Sequence, residues 1–358
     1  MTYVGKYTGS KTLIAARLKR LAMERSLRSL VKWAPLTDPE PGYTVIIGGV
    51  WRLRELAAAN LRFIAQQDAP RMREVILAFD ASDEEATPEE VAKLTAHAGD
   101  VPVRVLTCTP GQLRVARFWE WGWVYAWMNW ARGIAESRTS HVLLHDLDAI
   151  PLERSFFERR YDMAVESECD FYGVSWYEGN GVETRDRITR TYEMVMNAAA
   201  VRSNFKPIDG FNKVARFNAR TFDFDTFCYM QFVHRRSGYA DTAEGDLVHP
   251  SQMITNVVDL MTGRLRGIDP TKTNLPLMPV YLIAGGDPES ARSIIAKNGS
   301  TQGRSIELLG KTLDLSKYRR GHWEWVRGQA ERLADRLPGA DKNLAHEYLE
   351  YVERVVPE

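Results

Sequence analysis

From residue 43 to residue 148, short, mainly apolar runs alternate with longer stretches whose apolar residues recur every three or four positions. Tyr43–Ile47 is a β-branched run ending in Gly48-Gly49, Val75–Phe79 a second run ending at Asp80, Val103–Thr107 a third, and Val142–His145 a fourth ending in Asp146-Leu147-Asp148. Between them, Leu53, Leu56, Leu61 and Ile64 give helical spacing over 51–67, a short helix is expected near 88–97, and 113–135 reads as one long helix. Strands that are apolar throughout, separated by helices, belong to a mainly parallel sheet covered on both faces. The predicted fold class is therefore α/β: a Rossmann-like, mostly parallel central sheet covered by helices.

Outside this core the pattern is less regular. Leu13, Ile14, Leu18, Leu21, Leu27, Leu30 and Val31 form an interrupted stripe over 11–33, predicting a basic N-terminal helix before Pro35, Pro39 and Pro41 break the chain. Beyond 150, Asp170–Trp176 is expected as a strand, 188–200 as a helix, 204–235 as short strands, 250–262 as a helix opened by Pro250, Pro279–Ala284 as a strand, and 321–355 as a charged helical tail. These boundaries divide the chain into 1–40 (basic helix and Pro-rich linker), 41–150 and 151–300 (two halves sharing a cleft), and 301–358 (a helical extension).

Composition narrows the function classes. The chain has 358 residues, 44% hydrophobic and 26% charged, as in soluble globular proteins. Its formal net charge is zero, so the molecule as a whole is no electrostatic trap for nucleic acid. Within 1–33, however, Lys6, Lys11, Arg17, Lys19, Arg20, Arg25, Arg28 and Lys32 face the single acid Glu24. That helix is expected to pack on the catalytic domain; its other use would be peripheral contact with the inner face of a membrane. Three cysteines, Cys108, Cys169 and Cys228, in no metal-ligand spacing, fit a reducing compartment, and with no apolar run long enough to span a bilayer the expected location is cytoplasmic. The five tryptophans of 113–135 (Trp119, Trp121, Trp123, Trp127 and Trp130) are expected mainly as core.

The candidate chemistry sits at strand ends. Ligands of such sheets bind beyond the carboxyl ends of the strands, where Gly48, Asp80 and the Asp146/Asp148 pair all fall. Two adjacent carboxylates repel unless a cation or a proton joins them, and Mn²⁺ or Mg²⁺ bound by carboxylates completes its shell with water and substrate phosphate. Arg114 and Arg117 could meet that phosphate. Gly310-Lys311-Thr312 looks like the end of a phosphate loop, but Ser305 stands where its first glycine belongs.

Three segments carry a family resemblance. Tyr43–Gln67, Glu74–Asp83 (EVILAFDASD) and His141–Leu152 (HVLLHDLDAIPL) resemble the opening, second strand and metal strand of glycosyltransferase family 2 and its GT-A relatives, and Phe217–Arg220 (FNAR) followed by Phe222-Asp223-Phe224 resembles the turn into the acceptor half. The likeness spans about 43–260, with Gly48-Gly49-Val50 replacing the usual Pro-containing first loop. It implies a metal-dependent, inverting transfer of a sugar from a nucleoside diphosphate such as a UDP- or GDP-sugar to a carbohydrate or other hydroxyl acceptor. Carried onto this chain, Asp80 contacts the base, Asp146 the ribose or a metal-bound water, and Asp148 the metal. The general base comes from Gly238–His249 (GYADTAEGDLVH), in the order Asp246, Glu244, Asp241. His249 or His322 would be the further metal ligand, and Trp176 and Tyr177 would stack on the acceptor sugar. The rivals are a sugar-nucleotide nucleotidyltransferase, for which Gly48-Gly49-Val50-Trp51-Arg52 makes a meagre phosphate loop, and a non-catalytic carbohydrate-binding protein, which would have no need of the acidic pair.

Overall fold

The structure, a computed structural model, describes residues 10–243, 245–262, 270–298 and 304–357. Helix α1 (Ser10–Leu27) precedes strand β1 (Glu40–Gly49), α2 (Arg54–Ile64), β2 (Met72–Phe79), α3 (Pro88–Thr95) and β3 (Val103–Leu106). Helices α4 (Pro110–Trp119) and α5 (Gly122–Glu136) lead into β4 (Thr139–Asp146), a two-residue β5 (Ile150–Pro151) and α6 (Phe156–Glu166). Then come β6 (Phe171–Gly173), β7 (Glu193–Asn197), α7 (Ala198–Asn204), the hairpin β8 (Lys213–Phe217) and β9 (Arg220–Phe224), α8 (Cys228–His234), β10 (Ser237–Tyr239) and β11 (Leu247–Val248). The chain continues through α9 (Met253–Thr262), α10 (Met278–Gly285), α11 (Glu289–Asn298), the hairpin β12 (Ser305–Leu308) and β13 (Lys311–Asp314), α12 (Arg320–Ala334) and α13 (Gly339–Val355).

Seven strands form one sheet in the order β10-β6-β7-β4-β1-β2-β3. The pairs β1–β2, β1–β4, β2–β3 and β10–β6 are parallel, and β7 runs antiparallel between β4 and β6. Side chains of β1 alternate between the two faces. Val45 and Ile47 join the core shared with α2, α6 and α10, while Ile46 packs with Ile76, Leu144, Trp130 and Ile134 on the α5 side. The chain steps outward from β1 to β2 and β3, then returns to lay β4 on the other side of β1. That reversal is a switch point, where loops diverge and leave a crevice. The register aligns Gly48 with Ala78 and with Asp146, so the three strands end together.

The α/β layout expected from the pattern is the one observed, with several corrections. Helix α1 stops at Leu27, not at 33. The long helix expected over 113–135 is two, because Glu120 turns left-handed at φ 44° and Trp121 is extended. Trp127 and Trp130 are buried, whereas Trp119, Trp121 and Trp123 are half-buried. Residues 188–200, expected as a helix, run through a loop into β7, whose Met194, Val195 and Met196 are buried between two strands; only the Ala-rich end becomes α7. Helix α9 begins at Met253, three residues after Pro250.

Pro279–Ala284, read as a strand, lies within helix α10, buried from Met278 to Gly285. An apolar run with no polar face carries no periodicity to separate strand from helix. The helix packs tightly on α2: a Cβ on Gly285 would sit 2.3 Å from the carbonyl oxygen of Glu55. Around α10 pack α11, α12 and α13, with Trp323 and Tyr348 fully buried. The 301–358 tail also contains the β12–β13 hairpin, and Gly310, at φ 72°, lies between its strands, so Gly310-Lys311-Thr312 enters no helix. Strands from both sides of residue 150 share the central sheet. Among the described residues no helix is long and apolar enough to cross a membrane.

Candidate active site

Asp146 is the last residue of β4, and Leu147-Asp148 turn immediately, with Ala149 N donating to Asp146 O at 3.0 Å. The turn is held from below by a fully buried histidine. His145 pairs through Nδ1 with Glu193 Oε2 and through Nε2 with Asn60 Oδ1 at 2.8 Å, and Asn60 Nδ2 donates to the Leu147 carbonyl at 2.7 Å. Asp148 is 3% exposed. Its Oδ2 accepts from Met253 N at 3.2 Å, and its own carbonyl accepts from Tyr281 Oη at 2.6 Å. Asp148 is thus fixed by two contacts that each span more than 100 residues of sequence.

Strand β11 pairs with β5 just after the turn and brings His249 over it. His249 Nε2 lies 3.4 Å from Asp146 Oδ2 and 3.6 Å from Asp148 Oδ1, and one ligand atom from each of the three residues lies within 4.8 Å of the others. Tyr192, whose carbonyl accepts from Asp146 N at 2.9 Å, stacks on the His249 ring at 4.0 Å between centroids. Burial raises the pKa of Asp148; His249 opposes that rise and Asp146 adds to it. Burial disfavours the His249 imidazolium, but hydrogen bonding to Asp146 and the charges of Asp148 and Asp146 outweigh it and raise its pKa. Two carboxylates and an imidazole at this spacing form a donor set that fits a divalent cation, whose adjacent ligands stand about 3 Å apart.

His322, the other histidine considered as a ligand, is not part of this group. Its Nε2 meets Asn274 Oδ1 at 3.1 Å, and Asn274 Nδ2 donates to the Pro250 carbonyl and, at 2.6 Å, to that of Ser251. It therefore reaches the loop after His249 through an amide rather than the acids themselves.

The remaining candidates are dispersed. Asp80 follows β2 and accepts from Trp51 N through Oδ1 at 2.8 Å; burial raises its pKa against that hydrogen bond. Gly48 is a packing residue: an added Cβ would meet the Trp130 ring at 3.0 Å and Asn129 Cβ at 3.2 Å. Arg114 and Arg117 line a cleft of about 710 Å³ beyond β2 and β3, with Ser82, Asp83, Thr107 and Cys108, and Arg117 also pairs with Glu85 at 3.1 Å. Trp176 faces Tyr239 at 4.7 Å, and Tyr177 packs on the Phe222–Phe224 cluster with its hydroxyl accepting from Asn180.

The acids named for proton transfer fare differently. Asp246 Oδ2 is taken by Arg159 at 2.6 Å, and its carbonyl receives Leu152 N and Glu153 N. Asp241 is exposed, and Glu244 lies outside the described residues. An acid that the sequence pattern did not single out, Asp225, follows β9. Its Oδ1 accepts from Thr226 N at 2.7 Å and from Asn212 Nδ2 at 2.9 Å. Burial raises its pKa against these bonds, and the charges of Asp223 and Asp146 raise it further. Its spacing of two from Asp223 in an otherwise aromatic strand was the available signal. Asn129 and Arg132 were also missed, although they are the polar pair inside an apolar helix. Asn129 Nδ2 holds the Gly49 carbonyl at 3.0 Å, and Arg132 holds those of Phe79, at 2.7 Å, and Thr107, so α5 ties together the ends of β1, β2 and β3.

No family model matches the chain, and no curated protein matches its sequence. Solved structures similar to it include the galactosyltransferase LgtC in complex with donor and acceptor sugar analogues (10% identity, TM-score 0.39, covering 55% of this chain and 73% of that one). A mannosyltransferase from Pyrobaculum calidifontis, in complex with GDP-Man and Mn²⁺, shares 14% identity at a TM-score of 0.39 over 96% of both chains. The S. aureus protein TarS in complex with UDP shares 12% identity at 0.35, covering 87% of this chain and 89% of its own.

Proposed function

We propose that this chain is a metal-dependent glycosyltransferase that moves a sugar from a nucleoside-diphosphate sugar to an acceptor hydroxyl, with inversion at the anomeric carbon. The observation that carries the reading is the convergence of Asp146, Asp148 and His249 at the switch point of the parallel strands. The imidazole among the donors favours Mn²⁺ over Mg²⁺, which prefers oxygen alone. When bound, the cation supplies Lewis-acid neutralisation of the leaving diphosphate. Asp146 and Asp148 hold it with His249, and Tyr192 keeps the imidazole edge turned toward both acids.

Asp80 receives a donor group of the nucleoside base on the oxygen that Trp51 leaves open, and Arg114 and Arg117 draw phosphate toward the cleft. Asp225 accepts the proton of the acceptor hydroxyl as that oxygen attacks. Burial and the neighbouring carboxylates make it a stronger base than an exposed acid, as the task requires. That role passes to Asp225 from Asp246, which Arg159 already engages. Trp176, Tyr177 and Tyr239 offer ring faces to the acceptor sugar.

The deciding experiment incubates the protein with UDP- and GDP-sugars in Mn²⁺, in Mg²⁺ and in EDTA, without acceptor. Slow, metal-dependent release of nucleoside diphosphate that disappears in Asp148→Ala is expected. Exchange of pyrophosphate into the nucleotide sugar would show a nucleotidyltransferase instead, and sugar binding with no release would show a lectin-like protein.

A further inference from the structure

Helix α1 carries two apolar stripes on nearly opposite sides. Leu13 and Ala16 pack against Val214 of β8, and Met23 and Leu27 join Trp127, Val31 and Phe211. Between them Arg20, 5% exposed, pairs with Asp223 at 3.4 Å and lies 3.7 Å from the centroid of the Trp121 ring. The inward face is therefore docked and fixes which side looks out. On the outward side Ile14, Leu18 and Leu21 are 58%, 61% and 51% exposed. At 3.6 residues per turn they fall within about 60° of one another, roughly 150° from the buried stripe. Lys11, Arg17, Arg25 and Arg28 are exposed along the same side, and the sole acid between residues 10 and 33, Glu24, is half-buried. Beside the helix, the Trp119 indole donates to Ser26 Oγ at 2.8 Å, and the adjoining Phe118 ring is 76% exposed.

We propose that this face of α1 rests on an anionic lipid surface. The aliphatic stripe enters the boundary between headgroups and acyl chains, and the flanking bases, their methylene stems lying along it, meet lipid phosphates. Charge and apolarity together select this occupant. A second copy would set bases against bases in a self-complementary contact, and a nucleic acid would satisfy the bases while leaving three large aliphatic side chains in water. The face is independent of the proposed transfer chemistry.

The test is co-sedimentation of the full chain with vesicles of phosphatidylcholine alone or with about one-third phosphatidylglycerol, at low and high salt. Binding should require the anionic lipid, weaken with salt, and fall about tenfold or more in both Leu18→Glu/Leu21→Glu and Arg17→Glu/Arg25→Glu. Both double variants should keep the wild-type circular dichroism and melting temperature and, free of vesicles, the metal-dependent release of nucleoside diphosphate. No binding to anionic vesicles, or binding that survives Leu18→Glu/Leu21→Glu, overturns the proposal. So does concentration-dependent self-association abolished by that variant, which would assign the face to a second copy, or binding of RNA or DNA that the variant leaves intact.

Discussion

Asp148 is a buried carboxylate whose charge is disfavoured by burial and by Asp146 and favoured by His249. Mn²⁺ should therefore raise the melting temperature of the wild type, because a ligand of the folded state alone adds to its stability. Asp148→Asn should melt no lower than the metal-free wild type and should lose the Mn²⁺ response; a retained response would move the cation elsewhere. At Asp225 the same physics gives a pH dependence. Its folded pKa lies above the ordinary 3.8, so its contribution to stability is full below that value and is lost as pH rises through the folded pKa. In urea titrations Asp225→Asn should thus gain on the wild type between acid and neutral pH. The same variant should lose transfer to acceptor while keeping metal-dependent donor hydrolysis, whereas Asp246→Asn should leave both nearly intact.

Among the elements, α10 shows why local pattern and tertiary contact must be read together. Its eight residues, MPVYLIAG, are apolar without alternation, and the Pro near its start suits a first helical turn as well as an edge strand. In the fold it is a helix that approaches α2 closely at Gly285. Gly285→Ala should cost about 1–3 kcal/mol in urea unfolding, since the new methyl meets main chain rather than a movable side chain. Helix α4, in contrast, is locally specified: Thr109 and Gln112 form a reciprocal capping box behind Pro110. Thr109→Ala should cost about 1 kcal/mol, and a loss near zero would mean that packing alone fixes this helix beside the cleft.

Across the whole molecule, Arg20 links three distant parts: α1, the Trp121/Trp123 break between α4 and α5, and Asp223 of β9. Removing the guanidinium takes one charged contact from Asp223, which is 2% exposed. Arg20→Ala, which loses this contact and the packing on Trp121 and Trp123, should destabilise the fold by about 1–3 kcal/mol and expose α1 to early proteolysis; resistance equal to wild type would show that the apolar stripe alone docks the helix. The sequence by itself determined the parallel core, because the centres of β1, β2 and β4 are apolar on both faces and the helices between the strands are amphipathic. It also placed Asp80, Asp146 and Asp148 at the ends of strands that the pattern already aligned. Tertiary structure alone decided the third member of the acid–histidine group. His249 and His322 look alike as isolated histidines, and only the pairing of β11 with β5 carries the first to the acids while Asn274 engages the second. The surroundings of Asp246 and Asp225 were hidden for the same reason, because they depend on what lies across space: an arginine of α6 in one case, two further acids in the other.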